Sequence, residues 1–324
     1  MKMLPRYFSQ QASRLFSVSS LIQISAPVFL PFYHVVSDQE LAHIQNYPYR
    51  NARQFEKELD FLLKYFQPIS LADLIENPHP TKKVFHLTFD DGLKECAEVI
   101  APILLRKGIP ASFFINTGFV NNKALFHKYK ASLIRHELLY RRHIKAEKVL
   151  QAAGITRENI LSVSISQAGI LNQVAEMLSI DFKQFLERHQ PYLTTTQLLN
   201  MKNHGFSIGA HSVNHPEFWM ISPQEQLEQV RQSMAWINDN IQPGIKAFAF
   251  PFTDNGVSES VFETIRHENI CDITFGTAGL KYDSVNTHFQ RYTVETPGDF
   301  EQNIKAEWMY FVLRKWIGKA TVNH

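Results

Sequence analysis

A (β/α) barrel of about seven strands, interrupted by a helical insertion, is the fold this chain of 324 residues predicts. Three observations carry it. Short apolar runs of strand length alternate with segments whose apolar residues recur at helical spacing, a rhythm of βα units rather than of a β meander. Several helical segments carry start and stop chemistry of their own, with Ser, Thr or Asn at the N-cap and Gly at the end. The rhythm breaks once, between about 121 and 192, and then resumes.

"PVFLPFYHVV" (27–36) reads as the first strand, and "NARQFEKELDFLLKYF" (51–66) as a helix with Phe55, Leu59, Leu62 and Leu63 on one face. "SLADLIE" is a short helix capped by Ser70, with Asp73 in its first turn. The strand 84–89 follows, then a helix through "CAEVIAPILLRKG" stopping at Gly108, then the strand 110–116. Residues 121–192 read as helices with Lys, Arg and His scattered along them, charges that ordinarily mark a solvated face. After them come a helix with a Thr194/Gln197 capping box, the strand "FSIGAHS", and a helix opened by Ser222, Pro223 and Glu225. "IKAFAFPF", "ICDITFG" and "HFQRYTVE" supply the last strands. The expected organisation is therefore an N-terminal amphipathic segment (1–26), the barrel domain (27–300) and a C-terminal amphipathic helix (301–324).

Composition excludes several classes. A net charge of +2 without a long basic run argues against nucleic acid as a partner. Two cysteines, Cys96 and Cys271, allow neither a disulfide framework nor a CxxC metal site. No apolar run approaches the roughly 18 residues of a spanning helix, and polar residues interrupt the basic N-terminal stretch, so no signal peptide is expected. In "KAEWMYFVLRKWIGK" (305–319), Trp308, Phe311, Val312 and Trp316 share one helical face beside Lys305, Arg314, Lys315 and Lys319. Docking on the parent domain accounts for such a helix, and so does a membrane interface. The expected location is cytoplasmic, with peripheral contact to the inner membrane.

The chemistry concentrates at strand ends. "VFHLTFDDG" closes an apolar strand on two adjacent carboxylates, Asp90 and Asp91, which repel each other and are costly to desolvate. "GAHSVNH" follows another strand and sets His211 and His215 at a spacing that brings two imidazoles within reach of one ion. Either pair alone is a common turn cap or surface feature. Together, each at the carboxyl end of a strand, they point to a divalent cation that neutralises one carboxylate and leaves its neighbour as a base.

"TFDDG" (88–92) with "HSVNH" (211–215), supported by "GIPASFFINTG" and "LTTTQLLNMKNHGFSIGAHS", resembles the polysaccharide deacetylase family, the NodB-homology carbohydrate esterases, over about 29–120 and 193–295. The resemblance implies a distorted (β/α) barrel. It also implies Asp90 as general base, Asp91, His211 and His215 as metal ligands, and a metal that is usually zinc, with Co2+, Ni2+ or Mn2+ as alternatives. A cation with three protein ligands keeps positions open for water and an acyl oxygen.

The chain departs from the family's R-x-P-Y segment, whose arginine orients the base. Here "FAFPFTDNG" has Ala249 at that position and keeps Pro251 and Phe252, as in a "FAYPYG" branch that includes enzymes acting on N-acetylglucosamine polymers. Pro251 and Phe252 are candidate substrate contacts, with core packing an equal account of the phenylalanine. The family's late acid histidine has no clear counterpart. His288 is the positional candidate and His34, ending the first strand, its rival; a structural place explains either as well. Arg291 is a candidate substrate contact that equally suits holding a carboxylate near the site. The implied activity is metal-dependent removal of an N-acetyl group from an amino sugar in a glycan or its precursor. A deacylase of a lipid-linked sugar (formyl or O-acetyl) and a degenerate carbohydrate-binding domain are the alternatives.

Overall fold

The structure, a computed structural model, describes residues 3–324; Met1 and Lys2 of the N-terminal segment lie outside the described residues. Eight parallel strands form its main sheet: β1 (Pro31–Tyr33), β2 (Leu87–Phe89), β3 (Ala111–Ile115), β4 (Ser207–Ala210), β5 (Ala247–Ala249), β6 (Ile273–Gly276), β7 (His288–Gln290) and β8 (Tyr292–Thr293). Their spatial order is β7-β6-β5-β4-β3-β2-β1-β8. Together they curl into a nearly closed, distorted (β/α) barrel.

The expected last strand, 288–295, is two strands. It breaks at Arg291, so that β7 pairs with β6 while β8 pairs with β1 at the opposite edge. The sheet's first and last strands are thus joined through one residue, which raises the count from about seven to eight. Arg291 N–H donates to the Gly276 carbonyl at 3.1 Å, and its own carbonyl accepts from Gly279.

Strand alternation divides the apolar residues into two layers. Phe114, Ala247, Ala249, Ile273 and Phe275 form one cluster on the barrel's inner side. Phe89, Phe113, Ile208 and Phe248 join Leu59, Leu62, Leu104 and Val230 of the surrounding helices in the larger cluster outside it. The helix expected from Cys96 begins as a π turn over Cys96–Ile100 and becomes α over Ala101–Lys107. Pro102 has no N–H to donate, and the wider turn absorbs the missing bond. Gly108 ends the helix at a left-handed φ of 66°.

Between β3 and β4 the chain folds the helices His127–Tyr140, Ile144–Ala152, Gly169–Met177 and Phe182–His189. Ile134, Leu138, Leu150, Leu171 and Val174 give them a small core of their own. At the other end of the chain, the helix Phe300–Trp316 buries Trp308 against the Phe29 ring, centroids 4.8 Å apart, and leaves Trp316 80% exposed. The helix Met3–Ser13 runs antiparallel along it, with Gln302 donating to Ser13 Oγ at 2.8 Å and Arg6 over the Tyr310 ring. No described helix is long and apolar enough to cross a membrane.

Candidate active site

The carboxyl ends of β2 and β4 bring four of the expected residues together. Asp91 and Gly92 both adopt left-handed φ, 70° and 69°. A Cβ at Gly92 would also lie 3.1 Å from Ile115 Cδ1. The resulting turn gives the two adjacent carboxylates different partners. Asp90 is gripped by Arg291 in a bidentate pair, Nη1 to Oδ1 at 2.7 Å and Nη2 to Oδ2 at 2.8 Å. Both side chains are buried, and the guanidinium lies within the barrel over the rings of Phe32 (4.6 Å) and Phe114 (5.4 Å). Burial works against the Asp90 carboxylate, but Arg291 and, secondarily, His211 outweigh it and hold the carboxyl below its ordinary range.

Asp91 turns toward the histidines. One oxygen of Asp91, one nitrogen of His211 and one of His215 lie within 4.8 Å of one another. Oδ1 is 3.3 Å from His215 Nε2 and 3.9 Å from His211 Nε2, buried and without a hydrogen bond among the described residues. His211 Nδ1 donates to the Ala249 carbonyl at 2.7 Å, which leaves Nε2 as the free lone pair. Burial lowers the His211 pKa to about 4, keeping the imidazole in the neutral form that ligates metals. An orphaned carboxylate oxygen facing two imidazoles is the donor set of a divalent cation, and these three residues form a candidate metal site.

The loop carrying His215 is held from behind. Its N–H donates to Ser212 Oγ at 3.0 Å, and Gln229 Oε1 accepts from Val213 N–H at 3.0 Å. Gly118 N–H donates to the Val213 carbonyl at 2.8 Å, so close an approach that a Cβ there would meet this oxygen at 2.7 Å. Here glycine is required by contact rather than by φ.

Two tyrosines complete the Asp91 shell. Tyr129 Oη donates to Oδ2 at 2.7 Å, and Tyr47 Oη lies 3.0 Å from Tyr129 Oη. Tyr47 stacks on the ring of His34 at 4.3 Å. His34 Nδ1 pairs with Glu295 Oε2, and Glu295 Oε1 accepts from the backbone N–H groups of His34 (3.0 Å) and Val35 (3.2 Å). Burial opposes a charged His34, yet Glu295, with smaller help from Asp91 and Asp90, raises it from 6.5 to about 9.

The other expected residues lie elsewhere or act differently. His288 is not with Asp91; it is buried, with Nε2 3.1 Å from Asp254 Oδ2 and Nδ1 2.8 Å from Thr274 Oγ1. Arg291, a candidate substrate contact, is fully buried on Asp90 and faces no solvent. Pro251 is buried, while Phe252 is 37% exposed and covers the His215 ring, centroids 4.4 Å apart. Phe126 packs on the same imidazole at 4.5 Å. Not all of the insertion's charges form a solvated face: His127 and Lys128 are buried around Glu217, at 3.4 and 3.3 Å. Sequence reasoning missed Tyr47, Tyr129 and Glu295, none of which belongs to a motif.

A model of the family described as polysaccharide deacetylase matches residues 77–266. The chain belongs to the polysaccharide deacetylase family. Among solved structures, this deacetylase is similar to the Streptococcus pyogenes deacetylase PplD in complex with acetate, at 16% identity and TM-score 0.57 over 87% of this chain and 99% of that one. It is also similar to IcaB from Ammonifex degensii, at 16% identity and TM-score 0.55 over 88% and 97%. A de-N-acetylase from Aggregatibacter actinomycetemcomitans matches at 15% identity and TM-score 0.55 over 86% and 99%. At these identities the likeness shows the fold. No curated protein matches the chain significantly.

Proposed function

We propose that this deacetylase removes an N-acetyl group from an amino sugar in a polysaccharide or glycan precursor, with Asp90 as general base and Asp91, His211 and His215 holding zinc. The observation that carries the reading is the division of the carboxylate pair. Asp90 is locked ionised by Arg291, while Asp91 offers an orphaned oxygen to the imidazoles of His211 and His215. A divalent cation held there supplies Lewis acidity, polarising an amide carbonyl and making water more acidic. The polypeptide's part follows from its hydrogen bonds. Arg291 occupies both Asp90 oxygens from within the barrel, fixing the plane in which the carboxylate takes a proton from the attacking water. Tyr129 holds Asp91 by Oδ2 and leaves Oδ1 for the ion.

His34 is the acid in this reading, in preference to His288. Its Nδ1 is occupied by Glu295, so the proton available to a leaving amine is on Nε2, which makes no hydrogen bond among the described residues. The Glu295 carboxylate keeps that proton in place at neutral pH. Phe252 and Phe126 exclude water from the His215 side. An N-acetyl substrate is the choice because the similar folds include a named de-N-acetylase and an acetate complex. Acetate release from a panel of N-acetylated glycans tests it, with Asp90→Asn and chelator-treated protein as controls. Release that survives both would refute the mechanism, and no release from any member of the panel would refute the substrate class.

A further inference from the structure

Away from Asp91, a second set of metal-type donors converges on the far side of the β5 loop. Asp254, Asp283, His288 and His324 each offer one atom, and these four atoms lie within 4.8 Å of one another. They come from four separate segments: the loop after β5, the short strand Tyr282–Asp283, the first residue of β7, and the tail after the strand Thr321–Val322. His288 Nε2 is 3.1 Å from Asp254 Oδ2, and His324 Nε2 is 3.1 Å from Asp283 Oδ2 and 3.8 Å from Asp254 Oδ2. Tetrahedral ligands about 2.0–2.2 Å from a zinc-sized ion sit roughly 3.3–3.6 Å from one another. Small rotations of these side chains therefore suffice to enclose one.

The surroundings prepare these atoms. The other oxygen of each carboxylate is taken by backbone, Asp283 Oδ1 by Val285 N–H at 2.9 Å and Asp254 Oδ1 by Thr277 N–H at 3.3 Å. Thr274 Oγ1 meets His288 at Nδ1, which sets the ring with Nε2 toward the cluster. Gln290 is pinned by Ala278 N–H on its Oε1 and donates to Asp254 Oδ2 and to Asp283 Oδ2 (2.8 Å), the same oxygens that face the imidazoles, tying the two carboxylates together. Ligands whose second atoms are already bonded are the usual construction behind a metal centre. Lys281 lies near Asp254 and lines the same cavity. An open cavity of about 460 Å³, lined by Asp254, Lys281 and His324, gives an ion its way in.

We infer that Asp254, Asp283, His288 and His324 form a second, structural site for a divalent cation of the zinc class, independent of the Asp91 centre. With four protein ligands it has no position left for substrate. Its role is to fasten the tail carrying His324 onto the barrel edge at β7.

Cobalt is the probe, because four-coordinate Co2+ absorbs intensely in the visible. The full chain and His211→Ala are stripped with chelator and titrated with Co2+. The expected result is two equivalents bound by the parent and one by His211→Ala, the latter with tetrahedral visible bands. His211→Ala/His324→Gln should lose that remaining equivalent, while its metal-free circular dichroism stays that of the parent. His211→Ala/Asp283→Asn gives an independent check should one double variant fold poorly. No uptake by His211→Ala overturns the proposal, as does an equivalent that survives both double variants. Neither result touches the assignment of the first centre, which is read from the equivalent that His211→Ala removes.

Discussion

Replacing Glu295 with Gln tests the proposed acid. The substitution keeps the shape and an acceptor for the His34 and Val35 N–H groups but removes the charge beside Nδ1. His34 stands at about 9 against an ordinary 6.5, a difference that corresponds to about 3.4 kcal/mol at 1.36 kcal/mol per pH unit. Burial is the largest single influence on this imidazole and pushes the other way, and the Glu295 charge is the largest of those that raise it. The folded-state value is raised, so the protonated form is the favoured one. Activity that needs the Nε2 proton is present at neutral pH and lost as pH rises through about 9. The stability owed to the pair is complete below 6.5 and disappears between 6.5 and about 9. In Glu295→Gln the alkaline limb of kcat/KM for acetate release should move down by about 2 pH units or more. The variant should also be less stable than the parent by roughly 3 kcal/mol at pH 6, with the gap closing above pH 9. The assay is kcat/KM from pH 5 to 10 on a soluble N-acetylated substrate, with thermal unfolding at both ends of the range. An alkaline limb that stays where the parent has it would show that His34 is not the acid.

Arg291→Lys keeps a positive charge but loses the planar fork, and should lower kcat by about 100-fold or more while the metal content stays unchanged. Arg291→Met leaves Asp90 buried without its partner and should cost about 3–5 kcal/mol of stability, read by denaturant unfolding. Tyr129→Phe removes the hydrogen bond on Asp91 Oδ2 and should weaken metal binding by about 10–100-fold in a chelator competition. Chelation should abolish acetate release, and zinc should restore it. Tyr7, Phe8, Trp316 and Ile317 are exposed beside basic residues of the paired terminal helices, and the protein should co-sediment with anionic liposomes. Recovery of the intact chain entirely in the supernatant would reject membrane contact.

How legible each feature was in the sequence follows from how local its cause is. The alternation of strands and helices, and the capping boxes at Thr194 and Ser222, depend on residues a few positions apart, and the structure forms them there. Asp90 with Asp91 and His211 with His215 stand out because each pair follows an apolar strand, which is itself a local signal. Arg291 and Glu295 are different. Their partners Asp90 and His34 lie 201 and 261 residues away, and the chain between β7 and β8 looks like one strand until the barrel's curvature separates its two halves. His288, the positional candidate for the acid, carries no strand-end signal, because it stands at the start of "HFQRYTVE" rather than after it. In the structure it opens β7 and belongs with Asp254. His127 and Lys128 carry the residue types of a solvated helix, and nothing near them in sequence announces the buried Glu217 they surround.

The placement of Arg291 couples architecture to chemistry. It is the residue at which the chain steps from one end of the strand order to the other, and its guanidinium is also what keeps Asp90 charged. A molecule whose ring had not closed would leave Asp90 buried without a counterion, and such a carboxyl protonates and cannot act as a base. On the proposed mechanism, turnover is therefore a gauge of topological completion: a partly assembled chain carrying every proposed ligand for the ion would still be silent. The same placement releases position 249 from any duty of its side chain. Ala249 contributes only a carbonyl, to His211, and its methyl leaves the barrel interior free for an arginine arriving from the seam.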